Sequence, residues 1–397
     1  MRLVTDDERR ARLGRRHALA APDRAADAEA ATRAVTVLHS TEPATVYLSC
    51  HARVDDLAVA DVDHALYDDR TLVKQLAMRR TLFVFPRDLL PAAWGSASAR
   101  VAAAELKRMA KDVEKAGIAT DGERWVLEAR TAVGDAIARR PDGLTAVEVR
   151  ELLPEVAVKF DVTAGSVWNH GRILTHLGLT AEIVRGTNTQ HWRLSRPRWT
   201  TMADWLGPDG PAADDQPLDA AAGYRELVGR WLRSFGPGTE DDLVWWLGAT
   251  KAAVRGALAD LDAVAVDLEG GGTGWLLPDD LDEVTPPPSW AALLPVLDPT
   301  VMGWRDRAWY LGDHGPALFD RNGNAGTTVW VDGRVVGTWV QDDAGVVHTR
   351  LLEPVPDAAA RAVDAEARRL TEWLDGVRVG TVYPSPAMKA ARTEVTA

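Results

Sequence analysis

An α+β fold follows from three features of the sequence. Two stretches, 145–194 and 239–277, repeat one order of elements: a helix, a second helix and a β-ribbon. A looser copy of that order runs over 62–85, and beyond Trp290 the pattern changes to short apolar runs separated by glycine turns. Helix, helix and ribbon in succession is the pattern of a winged-helix module. The chain is therefore expected to be three tandem winged-helix modules with a helical connector and a C-terminal β-rich domain. At 397 residues it exceeds one core, since single cores stop growing near about 250 to 300 residues.

Module 1 and the segment ahead of it are placed at 1–95. In it 62–66 and 71–78 read as helices and 81–85 as an apolar strand. Residues 96–140 are rich in Ala, Glu and Lys, with Leu106, Met109, Val113 and Ala116 at helical spacing, and form the connector. In module 2, at 141–206, Thr145 is followed three residues later by Glu148, a capping box that opens a helix. The run 166–177 then puts Val167, Ile173, Leu174 and Leu177 on one face of a second helix. Residues 181–194 read as a hairpin turning at 186–188.

A polar stretch rich in Pro, Gly and Asp makes 207–222 a linker. Module 3 occupies 223–284: Thr239 caps a helix with Asp242 near its third position, 249–261 is a second helix, and strands at 263–269 and 274–277 flank Gly270, Gly271 and Gly272. Residues 285–397 open with Thr285 and three prolines. Within them Asp332-Gly333-Arg334 joins two apolar strands as a hairpin turn, and an amphipathic helix at 357–377, with Val363, Leu370, Leu374 and Val377 on one side, closes the fold.

Composition narrows the function. One cysteine, Cys50, excludes an internal disulfide and a cysteine-rich metal site, and points to a cytoplasmic, nucleoid-associated protein. The first twenty residues are charged and lack the apolar run of a signal peptide, and no segment approaches the roughly 20 apolar residues of a membrane span. A net charge of −12 argues against a surface coated for polyanions, yet the charge is uneven. The first 200 residues hold 30 basic and 27 acidic side chains and the remainder 16 and 31, so a nucleic-acid face is sought in the N-terminal half.

The densest basic stretch, 163–200, carries five arginines against Glu182. In a winged-helix module the second helix enters a groove and the wing meets the backbone. Asn169, His170 and Arg172 are then the helix-borne candidates for DNA contact, and Arg185, Asn188, Gln190, His191, Arg193, Arg196 and Arg198 those on and beside the wing. A merely solvated polar face is the alternative. Trp168 and Trp192 flank this stretch as candidate wedges. Arg79 and Arg80 precede the apolar strand of module 1, and Arg321 and Asn322 lie in a polar loop that reads equally as a DNA contact or an Asx turn. Asp306, Asp313, His314 and Asp320 have no metal-ligand spacing, and the glycines at 270–274 lack the Lys-Ser/Thr of a phosphate loop, so no metal and no cofactor are expected.

Four landmarks occur in order: Leu38-His-Ser-Thr-Glu-Pro-Ala-Thr-Val-Tyr-Leu48, Met78-Arg-Arg-Thr-Leu-Phe83, Leu297-Asp-Pro-Thr-Val-Met-Gly-Trp-Arg305 and Phe319-Asp-Arg-Asn-Gly-Asn-Ala-Gly326. On these the chain resembles, over nearly its whole length, the AlkZ/YcaQ-type winged-helix DNA glycosylases. The resemblance implies a monofunctional enzyme that hydrolyses the N-glycosidic bond of bulky N-alkylated purines or unhooks interstrand crosslinks, in DNA repair or genotoxin resistance. Its partner would be damaged duplex DNA held on a concave face, with the protein acting as a monomer.

The family's Gln-x-Gln or Gln-x-Asp pair, which the resemblance implies positions the attacking water, falls here on His39 and Thr41. Residues i and i+2 of an extended segment share a face, so these two side chains can hold one water between them. A neutral His39, with an ordinary pKa near about 6.5, is a candidate general base, a role worth roughly 10² to 10⁴ in rate. Thr41 supplies no charge, and Glu42 is the nearest carboxylate. A structural His-Ser-Thr corner is the competing account of the motif. At the level of the whole chain, the competing functions are a non-catalytic winged-helix DNA-binding regulator and a protein-interaction module without nucleic acid.

Overall fold

The structure, a computed structural model, describes residues 1–162, 165–207 and 216–396. The chain forms two compact units, one of Met1–Ala65 with Val228–Ala397, the other of Leu66–Leu227. The first is discontinuous in sequence, a grouping that serial boundaries at 95, 140, 206, 222 and 284 do not contain. Of the expected linker, 208–215 lie outside the described residues, as do 163 and 164 of the basic stretch. Among the described residues no helix is long and apolar enough to cross a membrane.

In the first unit the capping box of Thr239 and Asp242 opens helix Glu240–Leu247, and helix Lys251–Asp260 follows. Strands Val264–Leu268 and Thr273–Leu276 pair antiparallel around a turn in which Gly271 and Gly272 take φ of 91° and 86°. This ribbon has a third strand that the sequence reading lacks. Leu3–Val4 lies parallel to Val264–Leu268, and Val4 is buried with Val266, Leu268 and Leu276.

A four-stranded antiparallel sheet runs in the order Ala291–Leu294, Thr328–Val331, Arg334–Gln341, Val347–Leu351. Asp332 and Gly333, at φ 47° and 83°, make the expected tight turn, whose left-handed pair matches the twist of the strands it joins. Helix Asp357–Leu374 buries Val363, Leu370 and Leu374. It does not close the fold, as the sequence reading had it. The chain turns at Asp375 and Gly376, both left-handed, and a further helix, Pro386–Thr396, packs on Arg334–Gln341 with Met388 and Ala391 in a core with Val296, Leu297 and Val340.

In the second unit, Leu72–Leu76 is a strand where 71–78 was expected to be helical. Its partner is Leu82–Pro86 in the register Leu76↔Leu82. The apolar spacing of Leu72, Val73 and Leu76 suits either element. What decides is the reversal at Arg79 and Arg80, both left-handed at φ 54° and 61°, which lays two apolar runs side by side.

The connector is two helices, Ala99–Lys115 and Gly122–Ala138, so close that a Cβ on Gly122 would lie 2.1 Å from the Ala110 carbonyl oxygen. Met109, Val113, Val126, Val133 and Ile137 share one core with Val149, Ile173, Leu174 and Leu177, so the connector helices are part of that core. The box of Thr145 and Glu148 forms and opens helix Ala146–Leu152. The next helix is Asn169–Leu179, three residues later than expected, because Gly165–Trp168 pairs as a strand with Lys159–Val162. The ribbon is Ile183–Asn188 with Pro197–Thr201. The expected turn at 186–188 is instead strand, and Trp199, 5 % exposed, fills the core from the returning strand.

Candidate active site

A short strand, Leu38–His39, leads through Ser40, Thr41 and Glu42 into helix Pro43–His51. Pro43 at the first helical position presets φ and lacks an N–H that would otherwise be orphaned, so the helix starts sharply. Leu38 and Ser40 are buried, His39 is half-buried and Thr41 exposed, the alternation that extended backbone gives. The Thr41 N–H donates to His39 Nδ1 over a long 3.4 Å.

Glu42 occupies the cap position of the helix, but its side chain does not cap it. The carboxylate reaches the other end of the sequence: Oε1 accepts from Thr381 Oγ1 at 2.8 Å and from the Val382 N–H at 2.7 Å. Burial pushes its pKa above the ordinary carboxylate value, and these two hydrogen bonds oppose the shift. Thr381 Oγ1 also accepts from the Tyr383 N–H at 2.9 Å, so 381–383 is a tight turn folded onto Glu42. The Tyr383 phenol is pushed up by burial, then by the negative charges of Glu42 and Asp320.

Asp320 heads the polar loop and holds it as an Asx turn. Its Oδ1 accepts from the N–H groups of Asn322 and Asn324, and its Oδ2 from Asn324 Nδ2. Arg321 and Asn322 are exposed on this loop. At its end Gly326 approaches Ser385 so closely that a Cβ there would lie 2.6 Å from Ser385 Oγ. Three segments remote in sequence, 39–42, 319–326 and 381–385, thus meet in one unit. Thr381, Val382 and Tyr383 were missed by sequence reasoning. The one signal for them is a Val-Tyr pair set before Pro384 and Pro386 in an otherwise polar tail.

Behind the site a buried polar network fixes the helix. Asp298 and Arg53, both fully buried, form a two-pronged ion pair at 2.8 and 2.9 Å, and Ser49 Oγ donates to the same carboxylate at 2.6 Å. Thr45 Oγ1 donates to the Val296 carbonyl at 3.0 Å. His17 contacts Thr300 Oγ1 through Nδ1 and the Ser234 carbonyl through Nε2, and burial, with the charge of Arg53, lowers its pKa to about 3. Cys50 in the same helix is buried and its thiol is pushed up to about 12, so it is inert. The Leu297-Asp298-Pro299-Thr300 landmark is thus the anchor of the helix that Glu42 begins.

A family model of AlkZ-like DNA glycosylases matches residues 32–373, which takes in the 39–42 segment, the 297–300 anchor and the 319–326 loop. The chain belongs to the AlkZ-like DNA glycosylase family. It is accordingly a DNA glycosylase, a hydrolase whose substrate is DNA. The Streptomyces sahachiroi DNA glycosylase AlkZ has a similar structure, with a TM-score of 0.71 at 19 % identity, covering 94 % of this chain and 98 % of that one, and so shares its mixed α and β fold. No curated protein matches the sequence.

In this AlkZ-like protein the other candidates separate by exposure. Asn169 and His170 are buried, 0 % and 7 % exposed, and do not reach solvent from their helix. Arg172 pairs with Asp112 of the connector helix at 2.9 Å. The connector helices pack on this helix, and Arg172 is turned toward one of them. Asn188 is spent inside the wing: Nδ2 donates to the Gln190 and Leu194 carbonyls and Oδ1 accepts from the Arg196 N–H. Arg198 donates to the Asp142 and Gly143 carbonyls.

Arg185 lies over Trp199 at 4.9 Å, and burial lowers its pKa to about 10. Gln190, His191, Arg193 and Arg196 are exposed at the wing tip, and Arg79 and Arg80 at the hairpin turn, where Arg80 pairs with Glu105 at 3.3 Å. The exposed Trp168 has the Arg150 and Lys159 charges within 6 Å of its ring, at 5.7 and 5.9 Å. Trp192 is half-buried.

Proposed function

We propose that this glycosylase releases bulky N-alkylated purines, or unhooks purine crosslinks, from duplex DNA, with His39 and Thr41 orienting the attacking water. The observation that carries the reading is the His39-Ser40-Thr41 segment, which leaves His39 half-buried and Thr41 exposed immediately ahead of a buried carboxylate. An N-alkylated purine is already cationic. Its C1′–N bond breaks with the electron pair going to the base, which leaves neutral without acid assistance, while positive charge develops on the sugar. Water closes the new C1′–O bond and gives up its proton to the surrounding solvent water.

Orientation of water is the role proposed for His39, beside the general-base role that its imidazole also suits. The carboxylate of Glu42 supplies the negative charge that Thr41 lacks and that opposes the sugar cation. The exposed wing-tip groups Gln190, His191, Arg193 and Arg196, with Arg79, Arg321 and Asn322, are proposed as backbone contacts, and the protein as a monomer on its substrate. The family match favours this catalytic reading over the non-catalytic regulator.

The test is abasic-site formation in duplex DNA containing N7-methylguanine, measured beside DNA affinity. His39→Ala and Glu42→Gln should each lower base release about 10²-fold with affinity unchanged. Wild-type protein that binds such DNA and never generates abasic sites would end the proposal.

A further inference from the structure

Val382 is 78 % exposed, more than any other large apolar side chain among the described residues. A single exposed valine is unremarkable on a protein surface. This one differs in how it is held. Its own N–H and the Thr381 hydroxyl both bond to Glu42 Oε1, and the next residue's N–H bonds back to Thr381 Oγ1. The turn is therefore tied to the candidate catalytic segment by two hydrogen bonds and braced within itself by a third, while the Val382 side chain points to solvent. Below it, Ser385 is buried and Met388 and Ala391 root the following helix in the core. A β-branched side chain also has few rotamers, so little entropy is lost when it is placed against a ligand.

A short stiff apolar knob beside the carboxylate proposed to oppose the sugar cation has a ready use in a DNA glycosylase. Apolar side chains that bind DNA enter between base steps and replace stacking lost when the duplex is distorted. We propose that Val382 is a positioning residue that inserts at the lesion, filling the space beside the displaced or departed base, and that its hydrogen-bonded turn sets its place relative to Glu42. The proposal rests on the DNA glycosylase reading above, and deepens it by assigning the residue that recognises the distorted stack.

The experiment uses the full chain and a duplex with a tetrahydrofuran abasic analogue beside 2-aminopurine, whose fluorescence rises when it is unstacked. Wild-type protein should brighten the probe on binding. Val382→Ala should cut that gain by half or more, and should lower kcat/KM for base release from N7-methylguanine duplex about tenfold, the factor for withdrawing two methyl groups from an apolar contact. Val382→Ile should restore both. Because the side chain is exposed, V382A should melt with the wild type, which separates this role from a structural one. Wild-type protein that binds the duplex without brightening the probe, or V382A that brightens it fully, overturns the wedge whatever base release shows. Absence of base release with a V382-dependent brightening would instead overturn the proposed chemistry and leave the wedge standing.

Discussion

Replacing Asp298 by alanine tests the anchor that places Glu42. The carboxylate accepts four hydrogen bonds: from Arg53 Nη1 and Nη2 at 2.9 and 2.8 Å, from Ser49 Oγ at 2.6 Å and from the Thr300 N–H at 2.9 Å. Both members of the ion pair are 0 % exposed. Asp298→Ala therefore leaves a guanidinium buried without a counter-charge, an error that costs about 3 to 5 kcal/mol. Against a total stability of about 5 to 15 kcal/mol, this is a large share.

Urea unfolding followed by tryptophan fluorescence reads the loss directly. A double variant, Arg53→Met with Asp298→Leu, should recover most of it, because the stranded charge is then gone. The acid dependence gives an independent reading. Burial alone would raise the Asp298 pKa, but Arg53 and the hydrogen bonds outweigh it and hold it below the ordinary aspartate value. A depressed carboxylate pKa stabilises the fold at pH above the unfolded value, near about 4, and that contribution fades as pH falls through the lowered folded value. The wild type should show this acid loss and D298A should not. A D298A midpoint within about 1 kcal/mol of the wild type would refute the reasoning.

Buried neutral histidine obeys the same linkage at a higher pH. His17, at about 3, takes up a proton on unfolding, so its contribution is whole above an unfolded pKa near about 6.5 and falls by about 1.4 kcal/mol per pH unit below it. Between pH 7 and 5 His17→Gln should therefore lose about 2 kcal/mol less than the wild type, and equal slopes in urea titrations would refute this. Gly122→Ala drives a methyl group into the Ala110 carbonyl, and a melting curve should show destabilisation by about 1 to 3 kcal/mol. Arg193→Ala and Arg196→Ala should weaken duplex binding alike for all sequences and each flatten the slope of log affinity on log salt by about 0.9; an unchanged slope places the wing away from phosphate.

Local signals carried well from sequence to structure. The boxes of Thr145 with Glu148 and Thr239 with Asp242, the turns at 270–272 and 332–333 and the amphipathic face of Val363, Leu370 and Leu374 each depend on residues within a few positions of one another, and each is present. Where two elements share a periodicity, the sequence reading chose the wrong one. Residues 71–78 suit a helix as well as a strand until the left-handed pair at Arg79 and Arg80 turns the chain back.

Within the candidate site, the outward placement of His39 and Thr41 was legible because alternation is a property of extended backbone alone. The pairing of Arg172 was not, since its partner Asp112 lies on a connector helix more than fifty residues earlier.

The sequence alone therefore determined the caps, turns, periodic faces and family landmarks of this protein, all set by short-range geometry. Only the tertiary structure brought Thr381 and Val382 onto Glu42 and Asp298 onto Arg53. Those contacts join residues hundreds of positions apart, and nothing in the local chemistry of either partner specifies which distant carboxylate, hydroxyl or amide the packed core will deliver to it.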